Sequence, residues 1–245
     1  LEEKIKGKTR SKITSITFDD GYKNVIQNAV PILERLRIPA AIFLSSQLLE
    51  GNVFWRDMVR IIIENDWIYA FMNYLKINDS FLEKTINQND FYRSTKSNEV
   101  TSNSLETHLI SFLSKKNIKL KSQVLYVSKP ELEGLNKKLF SIGNHTHSHY
   151  RMSSISKKSQ DEQIKKCQRI LETLNVTLNK TFAIPFGENG SFNKDTIELV
   201  EANNFTGFLC SNQQQFGKSD TLSNIHPSTL HYSNRVLPLN KKIYA

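Results

Sequence analysis

The sequence predicts an α/β fold in which parallel strands alternate with helices, either as a (β/α) barrel or as a doubly wound sheet. Three observations predict it. Short β-type runs recur along the chain, and stretches with apolar residues three and four apart follow them. The first strand, helix and second strand fit within about 30 residues, the length of a βαβ crossover. The chain has 245 residues, 38% of them hydrophobic, which suffices for one domain with a sizeable core.

The elements follow in order. Ile13 to Phe18 reads as a short strand ending in Asp19, Asp20 and Gly21. Val25 to Leu36 carries apolar residues at helical spacing, with Pro31 as an irregularity. Ala40 to Leu44 is a continuous apolar run, which suits a parallel strand buried on both faces. The alternation then breaks. Residues 52–127 hold both tryptophans and show helical periodicity over 55–77 and 104–114, so they read as a mostly helical insertion within a single domain spanning 1–245. Its aromatic first part, 52–75, is expected beside the strand ends, and the Asn-, Ser- and Thr-rich stretch 87–104 as a mobile loop. A Ser128…Glu131 capping box starts a helix expected to run to about Lys138. Phe140–Gly143, Thr181–Ile184 and Phe205–Cys210 read as strands, 157–175 as an amphipathic helix and 193–203 as a further helix.

Composition narrows the function. The 33 basic and 24 acidic residues leave a net charge of +9. Part of that excess is local, in Lys4, Lys6, Lys8, Arg10 and Lys12, and neither zinc-finger spacing nor an RNA-binding sheet motif accompanies it. A nucleic-acid partner is therefore not expected. No run approaches the ~18 apolar residues of a membrane span. Two cysteines, Cys167 and Cys210, are too few for a disulfide framework and read as buried thiols. The charged N-terminus has no apolar core, which favours a cytoplasmic location, or an extracytoplasmic one if a leader was removed.

Two clusters carry chemistry. Thr17-Phe18-Asp19-Asp20-Gly21 puts adjacent carboxylates at the C-terminal end of a strand, where α/β folds place their active sites. In an extended chain the two side chains leave on opposite sides, so one can serve a metal and the other a proton. Alone, the pair also reads as an Asp-Gly turn with a capping Asp. Asn144-His145-Thr146-His147-Ser148-His149 packs three histidines into five residues. On a helical turn, His145 and His149 share a face and His147 points elsewhere. Two imidazoles and a carboxylate suit zinc, with positions left for water; a solvated histidine-rich loop is the alternative.

Together these clusters resemble the polysaccharide deacetylase (NodB homology) family, carbohydrate esterase family 4, whose motifs are T-F-D-D-G and H-[ST]-x-x-H. The resemblance covers about 13–51 and 128–211. It implies a distorted (β/α) barrel of the NodB type, with Asp19 as catalytic base and Asp20, His145 and His149 as metal ligands. The family's third motif, R-x-P-[FY]-G, corresponds to Ala183-Ile184-Pro185-Phe186-Gly187. It implies that Pro185, Phe186 and Gly187 line the substrate, with the Phe186 backbone N–H facing the oxyanion. Phe186 and Trp55 then either stack on a sugar ring or are packed aromatics. The expected ion is Zn2+, although the same donors accept Co2+, Ni2+ or Mn2+.

The implied activity is removal of acetyl groups from N-acetylated sugars of a polysaccharide or glycan precursor. The departures keep alternatives open. Ala183 stands where the family has the arginine that pairs with the base, and Arg235 is a candidate replacement cation. The late L-x-H segment, source of the acid histidine, has Thr229-Leu230-His231 as nearest match and His226 as second candidate. A catalytically weakened carbohydrate-binding relative fits these departures; a deformylase or O-deacetylase on the same fold is the other alternative.

Overall fold

Six parallel strands lie side by side in their order along the chain: β1 (Ile16–Phe18), β2 (Ala40–Leu44), β3 (Phe140–Asn144), β4 (Leu178–Ala183), β5 (Gly207–Cys210) and β6 (His231–Asn234). The structure, a computed structural model, describes residues 15–118, 122–211 and 231–234. A doubly wound sheet reverses its strand order at a switch point. Here each strand is added to the same edge as the one before, and the sheet curls as a distorted (β/α) barrel. β6 was not among the strands expected from the sequence, because His231-Tyr-Ser-Asn234 carries no apolar alternation.

The register explains the most apolar run. β2 pairs with β1 (Ile16↔Ala40) on one side and with β3 (Ala40↔Phe140) on the other, and all five of its residues are buried. Between β1 and β2, Val25–Ala29 forms a π-helical turn that runs into α1 (Val30–Leu36). Pro31 accounts for the irregularity: it has no N–H to donate, and its ring crowds the carbonyl four residues back.

The insertion folds as α2 (Trp55–Glu64), α3 (Ile68–Asn78), α4 (Ser80–Thr85), α5 (Phe91–Ser94), α6 (Ser102–Lys115) and α7 (Ser122–Leu125). It builds an apolar cluster around Trp55, Val59, Ile62, Phe71, Leu105 and Leu109. The barrel side packs around another, which includes Ile42, Leu44, Ile142, Cys167 and Leu171. The stretch 87–104 departs from the expected mobile loop. It holds α5 and the start of α6, and it is pinned by the buried side chains of Phe91, Thr95 and Val100. Its polar composition hid three anchors spaced too irregularly to register as a period.

The remaining helices cover the sheet. α8 (Lys129–Glu133) has the expected Ser128/Glu131 capping box but stops short of Lys138. Gly134 follows it, and Asn136 then accepts from the Lys138 backbone N–H at 3.1 Å, a local turn that replaces the helix. α9 (Lys157–Glu172) buries Gln160, Ile164, Cys167 and Leu171, and α10 (Lys194–Ala202) is capped by Asn193. Among the described residues no helix is long and apolar enough to cross a membrane.

Candidate metal centre and substrate cleft

The site is assembled from loops that leave the C-terminal ends of the strands. After β1 the chain turns sharply, with the Gly21 N–H donating to the Asp19 carbonyl at 2.9 Å and Asp20 at φ 75°. Gly21 itself sits at φ 109°, and a Cβ there would fall 2.2 Å from the Leu44 side chain, so only glycine fits. The left-handed Asp20 changes the sequence expectation. The two carboxylates do not diverge as in an extended strand; both line one cleft of about 320 Å³.

The histidine cluster follows β3 as a pair of bends, not as the helical turn expected. Asn144 forces the first bend by accepting from the Thr146 N–H at 2.9 Å, and Thr146 Oγ1 accepts from the His149 N–H at 3.1 Å. Thr146 and His149 take left-handed backbone at φ 65° and 54°. The outcome for the side chains is still convergence of His145 and His149, with His147 outside. His147 Nδ1 hydrogen-bonds Ser46 Oγ at 2.9 Å, and its Nε2 lies 3.5 Å from Glu50. Burial, helped by the charge of Lys166 and opposed by Glu50, lowers its pKa to about 4, so it is neutral at pH 7.

Asp20, His145 and His149 form the one group of three such side chains, among the described residues, that can converge on an ion. Each Nε2 is 3.3 Å from Asp20 Oδ1. His145 decides whether a metal fits. Its Nδ1 lies 2.7 Å from the Ala183 carbonyl, which can only accept, so Nδ1 carries the proton and Nε2 presents a lone pair. That Nε2 is buried and makes no hydrogen bond. A lone pair aimed at a carboxylate oxygen is repulsive unless a cation lies between them. The spacing agrees, since ligands at ~2.0–2.1 Å from tetrahedral zinc stand ~3.3 Å apart. The donor set fits a divalent ion.

Ala183 thus contributes its backbone where the family has an arginine side chain; its own side chain is fully buried against Ala41, Phe43 and Leu209. Beyond it, Phe186 and Gly187 take left-handed backbone at φ 62° and 65°. A Cβ on Gly187 would meet the Ser211 nitrogen at 2.6 Å. The Pro185 carbonyl accepts from the Gly187 N–H at 2.7 Å, while the Phe186 N–H makes no hydrogen bond among the described residues. The Phe186 ring lines the cleft, 4.8 Å from the His149 ring.

Trp55 is the packed aromatic of the two alternatives. It is 0% exposed, and its indole N–H donates to the His149 carbonyl at 3.2 Å, so it braces the histidine loop and offers no face to a sugar.

The opposite wall comes from the insertion: Phe54, Arg56, Arg60, Tyr92 and Lys96. Arg56 and Arg60 lie four apart on α2 and both reach Tyr92, their guanidinium carbons 4.2 and 5.7 Å from its ring centre. Burial pushes the Tyr92 phenol up, but the charges of Arg56 and Arg60 outweigh it and leave Tyr92 below its ordinary pKa. Asp57 ties this wall to the strand-end loops. It accepts from Tyr22 OH at 2.9 Å, Tyr126 OH at 2.6 Å and Arg60 at 2.5 Å. Burial first, then the Asp57 charge, raises the Tyr126 phenol well above its usual value. Of these residues, Phe54 to Arg60 fall within the aromatic stretch 52–75 that the sequence placed beside the strand ends. The spacing of Arg56 and Arg60 was available as a signal, whereas Tyr92 and Lys96 lie some 35 residues further on.

Of the acid candidates, His226 and the cation candidate Arg235 lie outside the described residues. His231 opens β6 in register with Gly207, three residues before the Cys210↔Asn234 pair that ends the ladder on the site's side.

A parallel sheet curled in sequential order, with a His-His-Asp cluster at its strand ends, defines an α/β architecture with a candidate metal site. The chain matches the polysaccharide deacetylase family model over residues 6–208 and belongs to that family. Solved structures share its fold. The Streptococcus pyogenes deacetylase PplD in complex with acetate superposes with a TM-score of 0.51 at 15% identity, covering 86% of this chain and 63% of that one. IcaB from Ammonifex degensii gives 0.51 at 15% identity over 94% of this chain and 69% of that one. A de-N-acetylase from Aggregatibacter actinomycetemcomitans gives 0.50 at 14% identity over 87% and 69%. No curated protein matches the chain by sequence.

Proposed function

We propose that the protein is a metal-dependent hydrolase that removes acetyl groups from N-acetylated sugars of a polysaccharide or glycan precursor. The observation that carries the reading is the His145 Nε2 lone pair held 3.3 Å from Asp20 Oδ1, an arrangement that calls for a cation. Asp20, His145 and His149 hold the ion, with Zn2+ the expected occupant. A divalent ion held there would supply Lewis acidity toward an amide carbonyl and toward water, whose pKa falls to ~7 on such an ion. Asp19, on the same cleft, takes the proton of the attacking water. The Phe186 N–H faces the oxygen on which charge develops, on a backbone held in place by Pro185 and Gly187. His226 or His231 protonates the leaving amine. For His231 the register counts against this role, since its backbone lies about 10 Å along the strand from the site end.

Metal analysis beside acetate release from chito-oligosaccharides tests the reading. His149→Ala is expected to lose bound zinc and most activity, because two protein ligands rarely hold zinc tightly. His147→Ala, outside the cluster, is expected to keep its zinc. Equal metal content in His149→Ala and the parent would overturn the assignment.

A further inference from the structure

We infer that the sugar this cleft takes carries an anionic group, a carboxylate or a phosphate, seated against Arg56 and Lys96 of the insertion. The inference rests on the deacetylase reading and narrows its substrate class. It comes from accounting for the charges along the cleft.

A divalent ion, once bound, would offset the charges of Asp19 and Asp20. Arg60 is paired with Asp57 at 2.5 Å, and Glu188 with Arg151 at 2.9 Å. Two cations remain. Arg56 is 6% exposed, and its guanidinium donates to Thr95 Oγ1 and the Tyr92 carbonyl, both neutral acceptors at 2.8 Å. It is also sandwiched between the rings of Trp55 and Tyr92, at 4.7 and 4.2 Å. Lys96 is half-buried at the rim of the cleft and has no carboxylate partner among the described residues. Its backbone is anchored, since Arg151 donates to the Lys96 carbonyl at 3.0 Å.

The two hydrogen bonds and the two rings offset part of the cost of burying this guanidinium, but no carboxylate in contact balances its charge, and a neutral N-acetylhexosamine would leave it so. An anionic substituent would satisfy it. Such a group would also set the sugar's orientation, placing the anion toward α2 and α5 and the acetamide toward His145 and His149.

The test is equilibrium binding to the zinc-loaded protein by calorimetry, at low salt and in 0.5 M salt. The carboxylate arm compares a disaccharide containing N-acetylmuramic acid with neutral diacetylchitobiose. The phosphate arm compares N-acetylglucosamine 1-phosphate with the neutral methyl glycoside. In one arm the anionic ligand is expected to bind at least tenfold tighter, the scale of a hydrogen bond to a charged group. That preference should shrink in high salt and fall at least fivefold in Lys96→Gln. Lys158→Gln, which removes an exposed charge outside the cleft, controls for net charge and should keep the preference. Equal binding of neutral and anionic ligands in both arms would overturn the inference, as would a preference that Lys96→Gln leaves intact. Acetate release is measured in parallel. Release from neutral glycans without an anionic preference sinks the inference and spares the deacetylase reading. An anionic preference without acetate release from any ligand does the reverse.

Discussion

The two walls of the cleft are built by different means. On the sheet side, Asp19, Asp20, His145, His149 and Phe186 stand on loops at strand ends, and Asp20, His149 and Phe186 take left-handed backbone. Such conformations are rare for non-glycine residues and persist only where the surroundings hold them. On the insertion side, Arg56 and Arg60 project from a regular helix that rests on its own apolar cluster. The sheet side supplies lone pairs and carboxylates, and the insertion supplies cations. The lone-pair side is thus held by strained local turns and the cationic side by ordinary helix packing, and the two meet where Trp55 donates to the His149 carbonyl and Asp57 accepts from Tyr22.

The sharpest way to break this division is at Asp19. Asp19→Asn keeps the cluster of Asp20, His145 and His149 and deletes the proposed base. Acetate release is expected to fall ~10²–10⁴-fold with zinc content unchanged. Activity above about a hundredth of the parent rate would place the proton elsewhere.

Asp57 tests whether the two walls are joined. Its carboxylate receives Tyr22 from the first strand-end loop, Tyr126 and Arg60, and its side chain is 10% exposed. Asp57→Ala leaves a guanidinium and two phenols without their acceptor, a loss of about 3 kcal/mol in stability by urea unfolding. A change under about 0.5 kcal/mol, the scale of an ordinary surface substitution, would mean that the walls are held independently.

The same division explains what the sequence revealed. The metal cluster was legible because its residues sit in two short motifs, Thr17–Gly21 and His145–His149, and chemistry restricts what can stand there. The strand–helix rhythm was legible because β2 is buried throughout and α9 buries one stripe at helical spacing, so each shows a clean pattern. What stayed hidden depends on distant pairing or on backbone twist. The convergence of Asp19 and Asp20 on one cleft needs the φ of 75° at Asp20. The structure of 87–104 needs Arg56 to meet Thr95, 39 residues away. Nothing local in Ala183 shows that its carbonyl orients His145.

A milder probe of the join is Trp55, which holds the histidine loop from the insertion side. Trp55→Phe keeps most of the buried ring and removes the N–H donated to the His149 carbonyl. A hydrogen bond of this kind is worth about 1 kcal/mol, so zinc affinity is expected to fall about fivefold. An unchanged zinc affinity in a competition titration would show that the loop needs no brace from the insertion.

The smallest effect concerns the ground beneath the metal loop, on the sheet side. Cys167 of α9 is fully buried and donates to the Leu44 carbonyl at 3.4 Å; the same carbonyl accepts from the His145 N–H at 3.1 Å. Burial pushes its thiol up to about 12, against weaker pulls downward from Ser46 and His145. The direction of the pH dependence follows. The thiolate is the reactive form, and its population rises tenfold per pH unit until the pKa is reached. At pH 8 a thiol with a pKa near 12 is ionised to about one part in ten thousand, against roughly a quarter for a free cysteine. Iodoacetamide at pH 8 should therefore leave Cys167 unlabelled in the folded protein and label it fully in urea, as read by peptide mass spectrometry. If labelling in the folded state proceeds at a rate that zinc suppresses, the loop opens and closes with the ion. Labelling that is fast whether or not zinc is present would mean that the sheet side is the looser wall, and the comparison would be reversed.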